Sequence, residues 1–151
     1  MKIKNFIIIK LFFLCFISIN SNFAKAGECE TTISSATTSQ LTCADDDNLT
    51  VTSTGSISFN DHKTIDLEDE KGVQITNNGT IETTDESNKQ KTIFAESSLD
   101  TTITNSGTIN SDNNEGIYLY YAENVTITNN SGATISAEGA NAIEGRNIGW
   151  C

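Results

Sequence analysis

Four short stretches of this chain follow one pattern: VTSTGSI at residues 51–57, ITNNGTI at 75–81, ITNSGTI at 103–109 and ITNNSGATI at 127–135. A repeat of this length is one structural unit, and it cannot bury its apolar face alone. Copies must therefore stack against one another to complete a core. The pattern predicts a repeat architecture before it predicts any chemistry.

Each stretch belongs to a larger unit with three apolar anchors. The stretches begin 24, 28 and 24 residues apart, at Val51, Ile75, Ile103 and Ile127. A second anchor precedes each start by ten residues, and a third follows it by six or eight; these anchors are Leu41, Ile65, Ile93, Ile117 and Ile143, and Ile57, Ile81, Ile109 and Ile135. The extra residues fall at 82–92 and 130–133. Insertions confined between fixed anchors are expected when the anchors are core strands and the insertions are surface loops.

The local pattern within a unit is typical of β-strands. Apolar residues recur at i and i+2, as in Ile65 and Leu67, and Thr, Ile and Val are plentiful. Asn-Gly, Ser-Gly and Thr-Gly stand between anchors, where a tight corner favours residues that tolerate positive φ. The sequence predicts an all-β fold, a right-handed parallel β-helix (β-solenoid) with three short strands per coil of about 24–28 residues. Leucine-rich repeats and calcium-binding nonapeptide repeats are excluded because their consensus residues are absent.

Stacked units place equivalent residues in ladders. Asn77, Asn105 and Asn129 align, with Ser53 at the same position of the first unit. Stacked Asn side chains can hydrogen-bond along the axis of such a fold. We therefore predict an amide ladder with a structural role at one corner of the solenoid.

The N-terminus has the features of a secretory signal peptide. Lysines at positions 2, 4 and 10 flank the apolar run LFFLCFISI at residues 11–19, and AKA at 24–26 is a cleavage signal. We expect cleavage before Gly27. The predicted organisation is a signal peptide at 1–26, an N-terminal cap at 27–48, and β-helix repeats with an incomplete last coil at 49–151.

Removing the signal peptide makes the chain strongly acidic. Four of the nine Lys and Arg lie within residues 1–26, so five cationic and 20 acidic residues remain, a formal charge of −15. Such a surface repels phosphates and anionic lipid headgroups, so nucleic acid is not an expected partner. No second apolar segment follows the signal peptide, so we expect no membrane-spanning helix in this chain.

Three cysteines follow the signal peptide: Cys29, Cys43 and Cys151. Export makes oxidation plausible, and we predict a disulfide between Cys29 and Cys43. It would close a loop of about 15 residues, worth about 3 kcal/mol in the chain-entropy model. Cys151 is left over, and the sequence assigns it no role.

Catalytic patterns are absent from the sequence, which has no G-x-S-x-G, H-E-x-x-H or C-x-x-C. We predict no catalytic, metal-binding or cofactor-binding residue. One surface feature is more informative: Phe94 and Tyr118 each follow an anchor by one residue, and Tyr120 lies two residues further on. If the anchors point inward, these rings point outward on adjacent coils. They form a candidate binding surface for sugars or another protein. The alternative is that the rings are covered by a loop or are cross-strand stacking partners.

The chain resembles the N-terminal passenger region of bacterial autotransporters. The resemblance rests on the signal peptide, the Cys-bounded stretch CETTISSATTSQLTC at residues 29–43, and the ITNxGTI units. It implies a Gram-negative source and export through an outer-membrane β-barrel. It also implies a role as an adhesin acting on a host or environmental surface.

No barrel follows the repeats in this sequence, so we expect a fragment of a longer passenger or a truncated product. The expected location is secreted or at the cell surface, or the periplasm if the product is truncated. We expect binding of a glycan or protein rather than catalysis. The alternative is part of a β-helical polysaccharide lyase or hydrolase whose active site lies outside this chain.

Overall fold

The computed structural model describes residues 28–84 and 90–149. Over these residues the chain is all-β, and fifteen short strands, numbered in chain order, form three parallel sheets of five strands each. The first sheet contains β1 (Thr31–Ile33), β4 (Asn48–Val51), β7 (Gln74–Asn77), β10 (Thr102–Asn105) and β13 (Thr126–Asn129). The second contains β2 (Ala36–Thr37), β5 (Ser56–Phe59), β8 (Thr80–Thr83), β11 (Thr108–Ser111) and β14 (Thr134–Ala137). The third contains β3 (Leu41–Thr42), β6 (Ile65–Asp66), β9 (Ile93–Glu96), β12 (Ile117–Tyr120) and β15 (Ile143–Arg146).

The three sheets are the walls of a β-solenoid with three strands per coil, as predicted. Each strand pairs in parallel with its counterpart one coil away, and the anchors of the second and third sheets pair as the spacing predicted. Inner anchors such as Ile65, Ile93 and Ile109 are fully buried. Burial of each such side chain contributes roughly 1.5–3 kcal/mol. Stacked isoleucines therefore form the core along the axis.

The predicted register of the first repeat is wrong by two residues in the first sheet. Leu49, and not Val51, pairs with Ile75, while Val51 pairs with Asn77. Val51 is buried and has no amide to brace the following turn, so the chain takes two more residues to reach Ile57. Ser53 lies exposed in that wider turn and is not part of the ladder.

The amide ladder itself is confirmed for the three asparagines. The Asn77 Nδ2 donates to Asn105 Oδ1 at 2.8 Å, and Asn105 Nδ2 donates to Asn129 Oδ1 at 2.8 Å. In two of the coils the Asn Oδ1 also accepts from a glycine N–H two residues on: Asn77 from Gly79, and Asn105 from Gly107. The side chains therefore brace the tight turn and connect neighbouring coils.

The N-terminal region confirms the predicted disulfide. Cys29 and Cys43 are bonded and both are buried. Within the region predicted as a cap, β1, β2 and β3 supply the first strand of each sheet, so this region is itself the first coil. The predicted signal peptide and Cys151 lie outside the described residues. At the other end of the described chain, the anchor Ile143 is 44% exposed.

Candidate binding surface

The outer face of the third sheet carries the aromatic residues that the sequence singled out. Parallel pairing places Tyr118 beside Phe94 and places Tyr120 beside Glu96. On the other side of β12, Tyr118 pairs with Glu144 and Tyr120 with Arg146. Because the anchors of these strands point into the core, the alternate side chains point outward.

The aromatic rings stack across the coils. The Phe94 and Tyr118 ring centroids lie 5.8 Å apart with planes inclined by 8°, and those of Tyr118 and Tyr120 lie 6.2 Å apart. Phe94 is only 9% exposed, and both tyrosines are half-buried. An aromatic pair of this kind contributes about 0.5–1.5 kcal/mol beyond its buried area. Phe94 and Tyr118 therefore stabilise the face as well as shaping it.

Cationic side chains cover the stacked rings. Lys63 Nζ lies 3.8 Å from the Phe94 ring centroid and pairs with Asp66 and Glu68. Near the Tyr118 ring lie Lys91 Nζ, at 5.1 Å, and the Arg146 guanidinium, at 6.0 Å. The described part of the chain has four cationic residues: Lys63, Lys71, Lys91 and Arg146. All of them except Lys71 lie on this face.

The structure adds one residue to the surface that the sequence analysis missed. Tyr121 packs edge-on against Tyr120, with ring centroids 4.4 Å apart, and it is 53% exposed. We call this pair the Tyr120–Tyr121 corner. Its only signal in the sequence is a tyrosine directly after the strand, where the anchor spacing predicts a turn.

The backbone at Tyr121 adopts a left-handed conformation, with φ of 51°. The equivalent corner of three other coils is also left-handed, but there it is occupied by Asp69, Ser97 and Asn147. Short polar residues tolerate this region, whereas a bulky side chain in it is a true outlier. Tyr121 is therefore held in a conformation that its residue type disfavours.

Neighbouring groups shift the pKa values of this surface. The pKa of Tyr120 is raised, first by its hydrogen bond with Tyr121 and more weakly by other neighbours including Glu96. The hydrogen bond from Arg146 lowers the pKa of Glu144, and the same contact raises the pKa of Arg146. Tyr120 therefore carries a neutral hydroxyl group at physiological pH, and Glu144 is a carboxylate paired with Arg146.

The remaining chemical groups of the described chain do not converge on a second site. His62 is exposed beside Asp61, and no group of three or more His, Cys, Asp or Glu in residues 28–84 and 90–149 is arranged to hold a metal ion. Asp46 and Asp69 occupy left-handed turns. Burial raises the pKa of nearby Glu70, and Asp45 raises it further.

A search of the described residues finds no helix with the length and apolar character needed to cross a membrane. The features of the described chain that bear on function are the repeat architecture and the aromatic face of the third sheet. No protein-family model, curated protein sequence or solved structure matches this chain.

Proposed function

We propose that this chain is a segment of a secreted, autotransporter-like β-helical passenger that acts by binding a partner. The observation that carries the proposal is the row of aromatic rings on one face of the solenoid, ending in the exposed Tyr120–Tyr121 corner. In the described chain, only Tyr121 and Ile143 are large apolar residues with substantial exposure. Ile143 is a core anchor, so Tyr121 is the one that projects from the side of the solenoid.

The chemistry of these rings suits recognition. Tyrosine presents a large rigid area at low entropic cost together with a hydroxyl group, and it is enriched where proteins bind their partners. Here Tyr120 is fixed by pairing with both neighbouring strands and Tyr121 by its contact with Tyr120. A side chain that is already ordered loses little freedom on binding, which favours affinity.

Export is supported by two independent features. Residues 1–26 have the three-part pattern of a signal peptide. The buried Cys29–Cys43 bond is of the kind that persists in oxidising compartments. N-terminal sequencing of the exported product is expected to begin at Gly27; an intact N-terminus would contradict the signal peptide.

The binding role is tested by adhesion of the purified protein to arrays of glycans and of extracellular proteins. The variants are Tyr120→Ser and Tyr121→Asn, and the matched control is Thr128→Ala on the exposed outer face of the first sheet. We expect both tyrosine variants to lose adhesion and the control to keep it. Unchanged adhesion in the tyrosine variants would overturn the proposal. Turnover of an acidic polysaccharide would favour the enzyme alternative.

A further inference from the structure

We infer that the Tyr120–Tyr121 corner, together with Glu96, binds a lysine or arginine side chain of a basic partner protein. The inference rests on the proposed function and names the kind of partner. It follows from the way this face binds two of the protein's own cations, Lys63 and Arg146, each of which lies near an aromatic ring and pairs with a carboxylate.

On this face, aromatic rings and carboxylates together hold cationic groups. Lys63 lies over the Phe94 ring while its ammonium pairs with Asp66 at 3.1 Å and Glu68 at 3.0 Å. Arg146 lies near the Tyr118 ring while its guanidinium pairs with Glu144. A cation over an aromatic face is attracted by the ring quadrupole, and a carboxylate beside the ring adds a charge-assisted hydrogen bond.

The Tyr120–Tyr121 corner has rings and a carboxylate too, while Arg146, which pairs with Tyr120 across the strands, is held by Glu144 beside the Tyr118 ring. Glu96 pairs with Tyr120 across the strands, and its charge is among those that perturb the Tyr120 hydroxyl. In the described chain, the cations that lie over rings reach Phe94 and Tyr118, and none lies over Tyr120 or Tyr121. Lys71 is directed elsewhere, toward Asp100 at 4.0 Å. The corner is therefore a ring-and-carboxylate site open to a cation from outside.

Backbone strain at Tyr121 supports a role for its side chain in contacting a partner. Three other coils place Asp69, Ser97 and Asn147 at this left-handed corner. A backbone outlier of this type argues for function, because its conformational strain costs stability. The strain is retained where the Tyr121 side chain makes contacts that an unstrained residue type would not make. The strained side chain is also the most exposed aromatic ring in the described part of the chain.

Charge complementarity selects a basic protein as the source of the cation. The chain after residue 26 carries a formal charge of −15, so it repels acidic glycans and attracts basic surfaces at long range. Lysine and arginine supply ammonium and guanidinium groups directly, whereas the usual charges of polysaccharides are negative. A neutral sugar would gain nothing from Glu96 beyond a hydrogen bond.

The test is isothermal titration calorimetry of the purified protein with hexalysine peptide, and with a neutral glucose hexasaccharide as the comparison probe. The variants are Tyr121→Asn and Glu96→Gln. Glu138→Gln is the matched control, because Glu138 is an exposed carboxylate at the end of β14 and its loss changes the net charge equally. Asn tolerates the left-handed corner, so Tyr121→Asn is expected to keep the wild-type melting temperature or exceed it.

We expect hexalysine to bind the wild type. Binding should weaken about two- to fivefold in Tyr121→Asn, and it should weaken more in Glu96→Gln than in Glu138→Gln. Equal weakening in the two glutamate variants would overturn the inference, because it would indicate non-specific attraction. Tyr121-dependent binding of the hexasaccharide, without hexalysine binding, would overturn the inference and leave the proposed function standing. If neither probe binds and adhesion does not depend on Tyr120 or Tyr121, both the inference and the proposed function fail.

Discussion

Replacing Asn105 by Val removes the central member of the amide ladder. The Asn105 side chain is fully buried, and its Nδ2 donates to Asn129 Oδ1 at 2.8 Å and to the Thr134 carbonyl at 2.9 Å. Its Oδ1 accepts from Asn77 Nδ2 at 2.8 Å and from the Gly107 N–H at 3.2 Å. Valine has a similar volume but can make none of these bonds.

The cost follows from the groups that are left without partners. The Gly107 N–H and the Thr134 carbonyl each lose a bond in a part-buried turn, while Asn77 Nδ2 keeps its bond to the Thr108 carbonyl. A buried polar group left unsatisfied costs about 1–3 kcal/mol. We therefore expect a loss of about 3 kcal/mol, which is a large share of a stability of roughly 5–15 kcal/mol. The wild-type chain shows the alternative at Val51, where the following turn is two residues longer.

The assay is urea unfolding followed by far-ultraviolet circular dichroism, with Asn129→Val as the matched control. Asn129 lies exposed on the last coil of the described chain and donates to the Ala133 carbonyl at 3.1 Å. Its Oδ1 accepts from Asn105 Nδ2, which keeps its bond to the Thr134 carbonyl when Asn129 is replaced. We expect the control to lose less than about 1 kcal/mol. Equal losses in the two variants, or a loss below about 1 kcal/mol in Asn105→Val, would refute the reasoning.

Three further predictions concern other parts of the solenoid. Thr101 is fully buried and its hydroxyl has no partner in the described chain, so Thr101→Val should raise the free energy of unfolding by about 1 kcal/mol; a loss of stability would show that the hydroxyl is used. A Cβ on Gly107 would lie 2.1 Å from the Gly79 carbonyl oxygen, so Gly107→Ala should cost about 3 kcal/mol. A Cβ on Gly132 meets no neighbour within 4 Å, so Gly132→Ala should cost only about 1 kcal/mol for its positive φ. Equal melting temperatures of the Gly107→Ala and Gly132→Ala variants would contradict this. The pKa of Glu70 is raised from 4.5 mainly by burial, so the folded state binds more protons than the unfolded state above that pH. Stability from this group is present at low pH and lost as pH rises through the raised pKa, and Glu70→Gln should remove that loss from the pH profile of unfolding.

The sequence predicted most of the fold because its anchors are redundant. Ile57 and Ile65 each recur at matching intervals in the following coils, so only one register of the second and third sheets keeps every anchor buried. The second coil was harder at β4, since Leu49 and Val51 both fit the i, i+2 pattern. The choice between them depends on the length of the next turn, and that length depends on an asparagine side chain that β4 lacks.

The candidate surface was predicted only in part. Phe94 and Tyr118 follow their anchors directly, so spacing alone places them side by side. Tyr121 was missed because it lies past the last residue of its strand, where an alternating pattern assigns no direction. Lys63 and Lys91 each stand two residues before an anchor of the third sheet, and this spacing is the sequence signal for cations over the rings.

The most direct test of recognition at the Tyr120–Tyr121 corner is nuclear magnetic resonance mapping of backbone amides during titration with hexalysine. The account predicts that the largest shifts cluster at Glu96, at Tyr120 and Tyr121, and at residues 144–147 of the adjoining coil. The acidic corner at residues 45–47 and 69–70 serves as an internal negative control within the same chain. Shifts centred on that corner, or spread evenly over the acidic surface, would contradict the account.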